Sequence, residues 1–209
     1  MSSTSQLFQP FSMRSLNLAN RVVVAPMCQY SAVDGVVGDW HLMHVGQFAV
    51  AGHGLFIAEA AAVEPRGRIS LNCPGLWNDE QMTAWKRVTD FVHAESQAKM
   101  CCQIGHAGRK GSTKLGWEGT DVPLDADNWD LIAPSAMAWD EDNATPKAMD
   151  RADMDRVTAD FVASTKRALA ADFDMVELHA AHGYLISSFI SPMSNHRSDE
   201  YGGSLENRM

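Results

Sequence analysis

The residues of this sequence best able to do chemistry together lie near its end: His179, His182 and Tyr184, in the run HAAHGY. Two neutral imidazoles offer two N–H donors, suited to an oxygen that gains negative charge, and a tyrosine can supply a proton. If His179 closes a strand, His182 and Tyr184 fall in the next turn or helix start, and the three rings can converge on one small pocket. The same histidines also fit two plainer descriptions, satisfied loop or core groups and metal ligands. His-x-x-His is not the i, i+4 spacing of a helical zinc motif, and the nearest carboxylate, Glu177, is not obviously placed beside the pair although it shares a strand face with His179. Gln103, at another strand end, can make the paired donor and acceptor contact that a flat heteroaromatic ring requires. Cys28 reads as a small buried hydrophobe. Trp77, Trp85 and the methionines read as packing.

Four strands and three helices must position these groups. The run Arg21 to Ala25, ending at Pro26, has the length and β-branched content of a buried strand. Asp39 is placed to cap a helix over 40–51, where Leu42, Val45, Phe48 and Ala49 recur at helical spacing. Leu55 to Ala60 is a second buried strand. Asn78 or Asp79 opens a helix with Met82, Trp85, Val88, Thr89 and Val92 on one stripe. Met100 to Ile104 is a third strand, followed by an irregular stretch to about Thr145, long enough to suggest function. Asp153 opens an amphipathic helix carrying Met154, Val157, Phe161, Val162 and Ala168, and Met175 to Leu178 is the fourth strand. Alternating βα units imply a parallel sheet with right-handed crossovers, either doubly wound or part of a (β/α)8 barrel. No GxGxxG follows the first strand, which argues against the dinucleotide-binding open sheet.

In either architecture ligands sit at the carboxyl ends of the strands, and each end here delivers polar groups: Cys28 to Tyr30, Glu59, Gln103 with His106 to Lys110, and the histidine pair. Composition narrows the partners. The 209 residues are 45% hydrophobic and 21% charged, with 17 basic and 26 acidic side chains for a net charge of −9. That balance argues against nucleic acid and anionic membranes. The polar start lacks a signal-peptide pattern, and Cys28, Cys73, Cys101 and Cys102 show no CxxC spacing, so a cytoplasmic protein with free thiols is expected.

The segments NRVVVAPMCQY (Asn20 to Tyr30), Glu59-Ala60, QIGHAGRK (Gln103 to Lys110) and HAAHGYLISSFISPMSNHRSDEYGGSLENR (His179 to Arg208) resemble the old yellow enzyme family of FMN-dependent ene-reductases. PMCQY and QxxHAGRK are similar to its branch of bacterial xenobiotic reductases. The resemblance implies a TIM barrel binding FMN, reduced by NADPH or NADH, that reduces the activated C=C bond of an enone or similar electron-poor alkene. It implies that Ala25, Pro26, Met27, Cys28, Ala60 and Gln103 bind the flavin and that Tyr30, Lys110, His179 and His182 bind substrate. His179, His182 and Tyr184 would be catalytic, Tyr184 as proton donor. It also implies a homo-oligomer when full length and no metal.

Two departures accompany the resemblance. Ala25 stands where relatives often carry a hydroxyl, and the family's second half, including its phosphate-binding loops, is not in the sequence. Ser204 would cap a helix that has only begun by Met209. The expectation is therefore the N-terminal portion, about four βα units, of a single FMN-binding barrel domain over residues 1–209. The alternatives are a non-catalytic half barrel that needs a partner half, and a metal hydrolase using the two histidines.

Overall fold

The computed structural model describes residues 5–209. An antiparallel hairpin of β1 (Phe11–Met13) and β2 (Leu16–Leu18) turns at Arg14, whose φ is +53°, and precedes the parallel sheet. The sheet is built from β3 (Val23–Val24), β4 (Leu55–Ile57), β5 (Ala61–Ala62), β6 (Lys99–Gly105) and β9 (Met175–Leu178). The intervening helices are α1 (Asp39–Val50), α2 (Asp79–Glu95) and α3 (Arg151–Ala170), and the short strands β7 (Ile132–Ala133) and β8 (Lys147–Ala148) pair with each other. After β9 come the short helices α4 (Leu185–Ile190) and α5 (Leu205–Arg208).

Strand order separates the two candidate architectures. β3 pairs with β4, β4 with β6 and β6 with β9, all parallel, so spatial order follows chain order. A doubly wound sheet reverses direction at a switch point, whereas successive strands of a barrel lie side by side. The chain is a barrel-type half, with about four βα units. Helices α1, α2 and α3 cover one face, where Val45, Ala49, Trp85, Val88, Val92 and Ala168 meet Phe56, Met100, Cys102 and Ile104. Cys101 points the other way, toward Leu18 and Leu55, as strand alternation requires. Trp85 is 1% exposed, so its truncation to alanine would cost about 3–5 kcal/mol.

The predicted strand 55–60 is interrupted. Ile57 pairs with Cys101 and Ala61 with Ile104, so four steps on one strand oppose three on β6. The extra residue is a bulge at the carboxyl end of the strand, and it carries Glu59 and Ala60.

Several boundaries moved for local reasons. The predicted buried strand 21–25 is two residues long and lies at the sheet edge, with Val23 46% exposed. α1 is capped by Gly38 rather than Asp39, and the Gly38 N–H donates to His41 Nδ1 at 3.2 Å. α3 starts at Arg151, two residues before Asp153, because Asp150 is the cap: its carboxylate accepts from the Asp153 N–H and Asp153 accepts from the Asp150 N–H. Val162 is half exposed, and Ser164 takes the buried position the stripe requires, donating to the Leu76 carbonyl at 3.1 Å. Asn78 caps α2 and Ser204 caps α5, as the sequence predicts.

Candidate active site

The end of β9 sets the first of the three candidate rings, His179. The His179 N–H donates to the Ile104 carbonyl at 2.9 Å, and the ring is buried beside Gly105, where an added Cβ would lie 3.3 Å from His179 Cβ. The chain then reverses through His182 at φ +57° and Gly183 at φ +75°. That left-handed pair swings the second imidazole back toward the first. The His179 and His182 ring centres are 5.1 Å apart, and Tyr184 lies edge-on to His179 at 4.8 Å. The three rings predicted to converge do so.

Their protonation follows from contacts. The Ala181 N–H points at His179 Nδ1 at 3.4 Å, which leaves the proton on Nε2, the nitrogen 3.4 Å from His182 Nδ1. Burial, helped by the neighbouring His182, lowers the His179 pKa, so its ring is neutral at pH 7 and donates from Nε2. Burial drives the Tyr184 phenol upward, so it keeps its proton.

Lys110 approaches from the loop after β6. Its Nζ sits 4.1 Å from the Trp139 ring centre, 5.4 Å from that of Tyr184, 3.3 Å from the His182 carbonyl and 3.3 Å from Asp121 Oδ2. Lys110, Tyr30, Asp121, Trp139, His182 and Tyr184 share a cavity of about 470 Å³. Trp139 and Asp121 were not predicted. They come from the irregular stretch, where no periodicity marks which side chains turn inward. Trp139 is a wall of this cavity.

The loops are fixed by a charge cluster that spacing does not reveal. Glu64 accepts from His106 Nε2 at 2.9 Å, Arg66 Nε at 3.0 Å and Arg156 Nη1 at 2.8 Å. Burial pushes the Glu64 carboxyl up, but the hydrogen bonds from His106 and Arg156 outweigh it and hold the carboxyl at about 2. His106 Nδ1 accepts from the Gly108 N–H, and the His106 carbonyl accepts from the Leu185 N–H at 2.9 Å, next to Tyr184.

The other predicted positions do not line this cavity, and residues 25–28 form an open rim. Ala25 and Met27 are exposed and Pro26 is half-buried. Cys28 is exposed, not the buried hydrophobe expected, because the chain leaves the sheet at Val24. The surrounding protein still desolvates its thiolate and, with Cys73 and Glu59 nearby, pushes the thiol up to about 12. The bulge turns Glu59 inward, where it accepts from the Gln29 N–H at 2.9 Å and lies 3.3 Å from His41 Nε2. Ala60 borders a small crevice shared with His179 and Tyr184. Gln103 donates from Nε2 to Glu177 Oε1 at 2.6 Å; its Oε1 has no partner among the described residues. Glu177, turned to Gln103, is not a third ligand beside the histidines. Among the described residues no three His, Cys, Asp or Glu side chains are arranged to hold a metal, and no helix is long and apolar enough to cross a membrane.

Comparison with known proteins identifies the family. The model of the NADH:flavin oxidoreductase / NADH oxidase family matches residues 6–209. The chain belongs to that family. It is 45% identical to NADH:flavin oxidoreductase FG08077 of Gibberella zeae, over 100% of this chain and 51% of that protein. It is 43% identical to the NADPH dehydrogenase of Geobacillus thermodenitrificans, over 97% and 56%. Among solved structures, morphinone reductase superposes with a TM-score of 0.85 at 33% identity, covering 98% of this chain and 57% of that one. Old Yellow Enzyme from Pichia sp. AKU4542 gives 0.84 at 32%, over 97% and 53%. The chain spans about half the length of the curated relatives it matches.

Proposed function

We propose that this chain is the N-terminal part of a single FMN-binding TIM-barrel domain in a cytoplasmic, homo-oligomeric ene-reductase that uses NADPH or NADH. The observation that carries the reading is the convergence of His179, His182 and Tyr184 at the carboxyl end of the sheet, facing the cavity that Lys110 and Tyr30 line.

The rim fits a flavin by its donor set. A flat heteroaromatic ring needs an apolar bed and an amide at its polar edge, and the exposed Ala25, Met27 and Cys28, with small Ala60, supply the first. Gln103, anchored through Nε2 on Glu177 with its oxygen free, supplies the second. When bound, FMN would accept hydride from the nicotinamide and deliver it to the β-carbon of an alkene conjugated to a carbonyl. His179 Nε2 and the His182 ring donate to the substrate carbonyl oxygen. That oxygen carries more charge in the transition state than in the ground state, so the donors lower the barrier. One such donor is worth about 2.7–4 kcal/mol. Tyr184, protonated by virtue of burial, gives its proton to the α-carbon. Tyr30 and Lys110 bound the substrate side.

The whole protein, purified without added cofactor, should be yellow and should reduce 2-cyclohexenone with NADPH or NADH. A colourless protein that takes up no FMN on addition would refute the reading. An intact mass of the natural protein tests the extent of the domain.

A further inference from the structure

The cavity beside Tyr184 contains two ammonium groups, and each is paired with a carboxylate. Lys110 Nζ lies 3.3 Å from Asp121 Oδ2, and Lys114 Nζ lies 2.8 Å from Asp125 Oδ2. Lys110 is 9% exposed and is closed in by the Trp139 face at 4.1 Å and the His182 carbonyl at 3.3 Å, so it has little freedom to seek another counter-ion. The Asp121 backbone is anchored as well. Its backbone sits at φ +60°, its carbonyl accepts from Asn143 Nδ2 at 3.1 Å, and the next residue, Val122, accepts the Lys114 N–H at 2.8 Å. A carboxylate on an anchored backbone therefore lines the cavity and pairs with the buried Lys110 ammonium, the group there able to receive an anionic substituent.

We propose that Asp121 sets the charge preference of this cavity, occupying the Lys110 ammonium and excluding ligands that carry a carboxylate on the side away from the histidine pair. The inference rests on the ene-reductase reading for the identity of the ligand, a ketone held by the histidines. The physical basis is that two like charges within a few ångströms repel strongly in a partly buried site, while removal of Asp121 leaves Lys110 as an unpaired cation facing the same space. Neutral and carboxylate-bearing ligands of one shape should thus separate by at least tenfold, and the order should respond to position 121.

The test uses the whole FMN-loaded protein and two saturated ketones that cannot be reduced at an alkene, 4-(3-oxobutyl)benzoate and its methyl ester. Calorimetry gives a Kd for each. The wild type should bind the acid at least tenfold more weakly than the ester, and in Asp121→Asn that ratio should fall at least tenfold. Should Asp121→Asn not fold, Lys110→Gln serves, where the ratio should widen at least tenfold because the cation is gone and Asp121 remains. A ratio unchanged in the variant, or no binding of either ketone, overturns the proposal. Reduction of the corresponding unsaturated ester by NADPH is measured separately. Its failure, with the binding ratio shifting as stated, would refute the ene-reductase reading and leave the charge preference standing.

Discussion

Replacing Glu64 by glutamine removes the charge that three donors address while keeping the shape of the side chain. The carboxyl is held at about 2 against an ordinary 4.5, and its side chain is 12% exposed. That difference corresponds to about 3 kcal/mol of folding free energy. Because the folded-state pKa is the lower one, the unfolded chain binds more protons between pH 2 and pH 4.5. The contribution is complete above 4.5 and is lost as pH falls toward 2. Urea titrations of wild type and Glu64→Gln should therefore differ by about 3 kcal/mol at pH 7, or about 6–12 °C in Tm, with the gap closing below pH 4.5. Subtracting the two proteins at each pH removes the other carboxylates from the comparison. A gap that stays constant from pH 7 to pH 3 would show that shape or packing, not charge, is what glutamine fails to replace. A gap below 1 kcal/mol at pH 7 would show that Arg66 and Arg156 find other partners.

Three further outcomes are expected. Tyr184→Phe should slow oxidation of the reduced flavin by an enone about 100-fold or more while leaving reduction by NADPH nearly intact, and equal slowing of both half-reactions in stopped-flow would contradict its role. Gly183→Ala, at φ +75° with a Cβ 2.7 Å from the Trp139 ring, should lower stability by about 2 kcal/mol and weaken ketone binding; a neutral effect in thermal unfolding and calorimetry would show that the turn yields. Cys28 alkylation by iodoacetamide should quicken tenfold per pH step from 7 to 10 without levelling, given a thiol near 12, whereas a plateau around pH 8.5 would indicate an ordinary thiol.

What the sequence makes legible follows from the reach of each signal. α2 and β9 could be read because their causes are local: Asn78 caps its own helix, and Met175 to Leu178 is a short, mostly apolar run between turn residues. The HAAHGY cluster could be read because its members are near neighbours. Glu64 with His106, and Asp121 with Lys110, could not, since one pair is joined across the sheet from separate loops and the other depends on how an aperiodic stretch folds back. The first strand was overestimated because a β-branched run reports β-propensity and not how many neighbours pair with it. Strand order, which decides between barrel and open sheet, is a property of pairing and leaves no mark in periodicity.

The bulge between Ile57 and Ala61 acts as a change of phase along one strand. Below it, Ile57 shares a face with Cys101; above it, Ala61 joins Ile104 under the helices, although the two residues sit four apart and would otherwise share a side. The slip adds one residue to the stretch that carries Glu59 and Ala60, the first tying down the Gln29 turn and the second bordering the crevice beside His179 and Tyr184. Point substitutions there change a side chain, whereas losing a single residue would rotate everything downstream, so this stretch should vary in composition far more readily than in length.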